Sequence, residues 1–134
     1  MSAPRGEGLE SLPAHFHRER AVLREAGVCT WRRLAEVTPE RLRELARPGA
    51  ASEARLLRLR AQASLMVAAD LAPEHASLLL HAGIAEPRAL AEADPERLRV
   101  RVNRFWHRLV GPRQPPISLA AVRGWIQAAS RSGN

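Results

Sequence analysis

Four arginines, Arg97, Arg101, Arg104 and Arg108, stand at i, i+4, i+7 and i+11, a spacing that lines them along one face of an α-helix. A row of guanidinium groups is side-chain chemistry suited to phosphate: always charged, planar, and able to donate paired hydrogen bonds to an oxyanion. Leu98, Val102, Phe105 and Leu109 form the neighbouring apolar stripe, so the helix is expected to bury one side and show a basic row on another. Arg113 and Arg123 extend the basic character beyond it. Residues 97–134 hold eight arginines and no acid, whereas residues 1–96 hold 13 arginines and 14 acids. The net charge of +7 therefore lies in the last third, which is the usual footprint of an anionic partner. Like charges at i, i+4 disfavour a helix by ~0.2–0.5 kcal/mol per pair. Arg41, Arg43 and Arg47 avoid this by standing among Glu40 and Glu44, a compensation that the later row omits beyond Glu96. A second account has these arginines pairing with Glu36, Glu86 or Glu92 elsewhere in the fold, or simply solvated.

Catalysis has little to work with. His15 and His17 would point to different faces of a helix, and His75, His81 and His107 have no Cys or carboxylate partner at a ligand spacing, so neither a metal nor a catalytic residue is expected. Cys29 is the sole cysteine, which precludes an intrachain disulfide, and it reads as a small buried thiol. No Walker or dinucleotide glycine motif is present, and no cofactor is expected. Among the few aromatics, Phe105 and Trp125 fall on core sides of their helices, while Trp31 and Trp106 sit at stripe edges and are the candidates for contact with a partner.

The elements that must position these residues are legible through an internal repeat. At an offset of 56, Leu23-Arg-Glu-Ala-Gly27-Val28 matches Leu79-Leu-His-Ala-Gly83-Ile84, Leu34-Ala35-Glu36 matches Leu90-Ala91-Glu92, and Pro39-Glu40-Arg41-Leu42 matches Pro95-Glu96-Arg97-Leu98. Arg58 and Gln62-Ala63 then fall on Arg123 and Gln127-Ala128 at an offset of 65, which assigns the second repeat nine further residues within Val100 to Pro116. Thr38-Pro39-Glu40 and Asp94-Pro95-Glu96 are helix starts, and Ser52 and Ser118 are candidate caps. Gly27 and Gly83 stop the helices before them. The period predicts eight helices: Ser11–Ala26, Thr30–Glu36, Pro39–Ala46, Ser52–Ala69, Pro73–Ala82, Glu86–Glu92, Pro95–Val110 and Ser118–Ala129. The expected organisation is a flexible stretch over 1–10, one repeat over 11–69, a second over 70–130 with its basic insertion near 100–116, and a flexible end over 131–134. No alternating segment predicts a sheet, no apolar run approaches a membrane span, and the N-terminus has no apolar core of a secretory signal, so a cytoplasmic all-α protein is expected.

The phrases LREAGVCTWRRLAEVTPERLREL and LLLHAGIAEPRALAEADPERLRVRV resemble helix-hairpin-helix elements, and similar phrases occur in translesion polymerases and in the carboxy-terminal domain of the RNA polymerase alpha subunit. The pair most resembles a bacterial domain family of unknown function built from two such elements, over roughly residues 12 to 130. The resemblance implies one compact pseudo-twofold domain whose hairpin turns are Gly27-Val28 and Gly83-Ile84. It also implies contact with nucleic acid, in which DNA-binding relatives present a Gly-hydrophobic-Gly turn to phosphate. The turns Asp70-Leu71-Ala72-Pro73 and His15-Phe16-His17 lack that glycine pair, so the backbone is not expected to hold phosphate here. Two functions follow: a non-enzymatic module gripping nucleic-acid backbone, DNA favoured, through Arg97, Arg101, Arg104, Arg108, Arg113 and Arg123; or a protein-interaction adaptor docking an acidic partner surface through Trp106 to Pro116.

Overall fold

The computed structural model describes Gly8, Leu9, Leu12 and residues 14–132, and among these it contains eight α-helices and no strand. The helices are α1 (His17–Glu25), α2 (Trp31–Glu36), α3 (Pro39–Leu45), α4 (Glu53–Ala69), α5 (Pro73–His81), α6 (Pro87–Ala91), α7 (Pro95–Val110) and α8 (Leu119–Ser132). The chain divides into two compact units, one ending at Ser64 and the other beginning at Leu65, so the division falls inside α4.

In the first unit, local chemistry sets the helix ends. Thr30 Oγ1 accepts from the Arg33 amide, and Thr38 Oγ1 from the Arg41 amide, each at 3.1 Å, satisfying donors that a helix start leaves open. Gly27 takes φ +83°, and the amides of Gly27 and Val28 turn back onto the Arg24 and Leu23 carbonyls at 3.0 and 2.8 Å, closing α1. The α-helix expected from Ser11 begins at His17 after a 3-10 turn over Ala14–Phe16; Ser11 lies outside the described residues. Arg55 holds that turn from α4, donating Nη2 to the His15 carbonyl at 2.6 Å and placing its guanidinium 4.8 Å from the Phe16 ring centre. Leu23, Leu34, Leu42, Leu56 and Leu59 are fully buried.

The second unit repeats these devices. Gly83 takes φ +91°, the Gly83 and Ile84 amides donate to the Leu80 and Leu79 carbonyls, and Asp94 Oδ2 accepts from the Arg97 amide at 2.9 Å. Leu79, Leu90, Leu98 and Val122 are buried as their counterparts are. α8 packs on α6 and α7, and α7 packs on α5.

The last helices correct the expected register. Ser52 Oγ accepts from the Arg55 amide and Ser118 Oγ from the Ala121 amide, while Leu56, Leu59 and Ala63 are buried as are Val122, Trp125 and Ala129. All of these correspond at an offset of 66 rather than the 65 read from the sequence. The chance matches Arg58 to Arg123 and Gln62 to Gln127 are surface likenesses, and burial decides the register. α8 also runs through Arg131 and Ser132, where the sequence predicts a flexible end.

Candidate anion-binding face

α7 is the element that carries the row. Asp94 caps it, Pro95 occupies its first turn with a φ already suited to a helix, and Gly111 at φ +87° ends it. Leu98 and Val102 are buried, which turns Arg97, Arg101, Arg104 and Arg108 outward, and all four are exposed. At 1.5 Å per residue the row runs about 16 Å.

Two acids of the second unit pair with arginines outside the row. Glu96 pairs with Arg99 at 3.2 Å and Glu92 with Arg88 at 3.3 Å. Among the described residues, no ion pair joins an acid to Arg97, Arg101, Arg104 or Arg108. Arg97, Arg101 and Arg104 line one open depression with Glu96 and Val100, and Val100 is 45% exposed within it. Among the described residues, Arg101 is the one of the four that is tied down, with Nη1 donating to the Ala82 carbonyl at 3.0 Å. Arg108, Arg113 and Arg123 are exposed but lie outside the depression.

The hairpin turns do not offer their own donors. The amides of Gly27, Val28, Gly83 and Ile84 are all hydrogen-bonded back to the preceding helix, so these glycines serve as helix stops. The turn at Asp70 does likewise: Asp70 adopts φ +52° and the Leu71 amide reaches the Met66 carbonyl at 3.1 Å. At the start of α4 the chain supplies its own anion, since Glu19, 3% exposed, accepts from the Ser52 amide at 3.2 Å and lies 3.4 Å from Arg55 Nε. The charge around that start is shared between Arg43, Arg47, Arg55, Glu19 and Glu53, with Arg43 on Glu53 at 2.9 Å.

Several expected placements are corrected. Trp31 is 2% exposed and belongs to the first unit's core, because α2 turns its ring inward with Leu34; it is not a surface contact. Cys29 is exposed rather than buried, since Val28 and Trp31 take the inward positions on either side. The apolar stripe of α7 also ends early: Phe105 is half-buried, its ring centre 5.9 Å from that of His81, and Leu109 is 52% exposed. Trp106 is half-buried, donates Nε1 to the Pro115 carbonyl at 3.0 Å, and lies 5.6 Å from His75, which in turn lies 5.3 Å from Trp125.

The sequence pattern does not single out Asn103, yet it holds the inserted loop. Asn103 donates Nδ2 to the Ile117 carbonyl at 3.0 Å and accepts the Ile117 amide on Oδ1 at 2.8 Å, clasping that loop to α7. The one signal it carries is a carboxamide between the buried Val102 and the exposed Arg104, where a solvated charge would otherwise be the norm.

Among the described residues no group of three or more His, Cys, Asp or Glu is placed to hold a metal, and no helix is long and apolar enough to cross a membrane. No curated protein and no solved structure matches the chain. The model of the family described as a domain of unknown function, DUF4332, matches residues 13–132, and the chain belongs to that family.

Proposed function

We propose that the chain is a non-enzymatic cytoplasmic module of two tandem helix-hairpin-helix elements that grips nucleic-acid backbone, DNA favoured, through the basic face of α7. The observation that supports it is the exposed row Arg97, Arg101, Arg104 and Arg108, with no acid paired to any of them among the described residues. With the hairpin amides already bonded, phosphate contact falls to side chains, and Arg113 and Arg123 add to the field around the row. Such contacts carry charge recognition and little base readout.

The test is a titration of duplex and single-stranded DNA at several salt concentrations. Affinity should fall steeply with salt, with a logarithmic slope near −0.9 per phosphate neutralised on duplex DNA, and should vary little with sequence. Replacing Arg97, Arg101, Arg104 and Arg108 with Ala should lower both affinity and slope while helical content is kept. The matched replacement of Arg41, Arg43 and Arg47 should matter less, because Arg41 is paired to Glu44 and Arg43 to Glu53. Absence of binding at low salt, or equal effects of both sets, defeats the proposal.

A second reading, an adaptor docking an acidic protein surface, is favoured by one observation. Leu109 is 52% exposed at the end of α7, next to the loop that Trp106 straps down, and this is an apolar contact that backbone phosphate does not use.

A further inference from the structure

We infer that Arg101 is the pre-set anchor of a single phosphodiester site at the α5–α6 turn, with Arg97 and Arg104 flanking it. The inference rests on the nucleic-acid reading and names which arginine of the row does the holding. Arg101 donates Nη1 to the Ala82 carbonyl at 3.0 Å, and Ala82 is the C-cap of α5. That carbonyl belongs to a helix end, where partial negative charge gathers, so the guanidinium is held there by a hydrogen bond and by the helix dipole together. Among the described residues nothing accepts from Nε–H or Nη2, which leaves both as donors to an oxyanion on a side chain that the Ala82 bond already orders.

The surroundings fit a diester. Gly83 brings bare backbone to the guanidinium: a Cβ built there would lie 4.0 Å from Arg101 Nη1 and meet nothing nearer. The Gly83 and Ile84 amides are occupied, which leaves the anion to the side chain. Of the residues lining the depression, Glu96 has its carboxylate paired with Arg99 at 3.2 Å, and Val100 gives an aliphatic surface that a sugar can cover and that an inorganic ion leaves bare. The first unit has no equivalent, because the position 56 residues before Arg101 is the buried Leu45.

The competing account is that Arg101 only caps α5. Arg101→Lys separates the two, because lysine keeps the charge and can donate to a carbonyl but lacks the planar fork. Anisotropy with a short labelled duplex at low salt should show about a tenfold loss for Arg101→Lys and about twofold or less for Arg97→Lys and Arg104→Lys. Wild-type affinity in Arg101→Lys, or equal losses in all three, overturns the anchor. A second arm needs no variant: in 15N spectra of the wild-type chain, dimethyl phosphate should move the Arg101 Nε–H and Gly83 amide signals more than inorganic phosphate does. If the duplex does not bind but dimethyl phosphate moves those signals, the site stands and the nucleic-acid reading falls. If dimethyl phosphate moves neither, or inorganic phosphate moves them equally, the inference fails whatever the duplex does.

Discussion

In the first unit, Arg47 and Ala51 exchange two backbone hydrogen bonds, at 2.9 and 3.0 Å, and so close the short turn between α3 and α4. In the second unit the residue 56 further on, Asn103, performs the same two-way exchange with Ile117, but through its side-chain carboxamide. A carboxamide carries the same N–H and C=O as a peptide group, so the loop is closed while the Asn103 backbone stays free to continue its helix. The consequence is length: α3 has 7 residues and α7 has 16. Arg104 and Arg108 exist as helical positions only because of that extension, and in the first unit the chain has already turned at Pro48-Gly49. A second exchange accompanies it. The residue 56 after the buried acid Glu19 is His75, set against Trp106 and Trp125, so where the first unit buries a carboxylate the second packs aromatic rings. Lengthening the helix and dropping the acids together leave a basic face.

The most severe test of this comparison is Asn103→Ala. It leaves the Ile117 amide and carbonyl without their partner and should cost about 2–3 kcal/mol, whereas Arg47→Ala, whose counterpart bonds are made by backbone, should cost under about 0.5 kcal/mol. Urea denaturation of the two variants measures the contrast, and similar losses would show that the carboxamide is not the second unit's closure. Next come Gly27→Ala and Gly83→Ala. Each forces a Cβ into the left-handed region at φ +83° or +91° and should cost about 1–2 kcal/mol, by the same amount in both units since neither Cβ meets a close neighbour. Unequal costs would break the equivalence of the two turns. Thr38→Ala and Asp94→Ala remove matched helix caps and should each lower stability by about 1 kcal/mol, read from thermal unfolding. Trp106→Phe has the smallest expected effect, about 0.5 kcal/mol, because water can replace the lost donor at the exposed Pro115 carbonyl. Its sharper signature is faster backbone motion over residues 111–116 with the first unit unchanged, measured by amide relaxation.

Much of the scaffold was legible because it is local. Thr38-Pro39-Glu40 and Asp94-Pro95-Glu96 carry their caps within four residues, and the glycine stops need only a positive φ, so the starts of α3 and α7 and the ends of α1 and α5 follow from spacing. The candidate face was legible in part: periodicity put four arginines on one side of α7. Nothing in their spacing distinguished Arg101, whose partner is a carbonyl 19 residues earlier. The surface candidate Trp31 and the buried candidate Cys29 exchange roles for a related reason. Within a short helix or turn, hydropathy ranks residues without stating which side the rest of the unit covers.

The sequence by itself determined which segments are helical, the caps at Thr38, Ser52, Asp94 and Ser118, the stops at Gly27 and Gly83, and the segregation of charge into the last third. These depend on interactions across three to five residues, or on composition alone. Tertiary structure decided the register of the last helix, the clasp of Asn103 on Ile117, the depth of each aromatic ring and the pinning of Arg101 beside Gly83. Each of those requires groups 14 to 19 or more residues apart to meet, and such meetings are settled by which side chains a shared core can close over, not by any local preference along the chain.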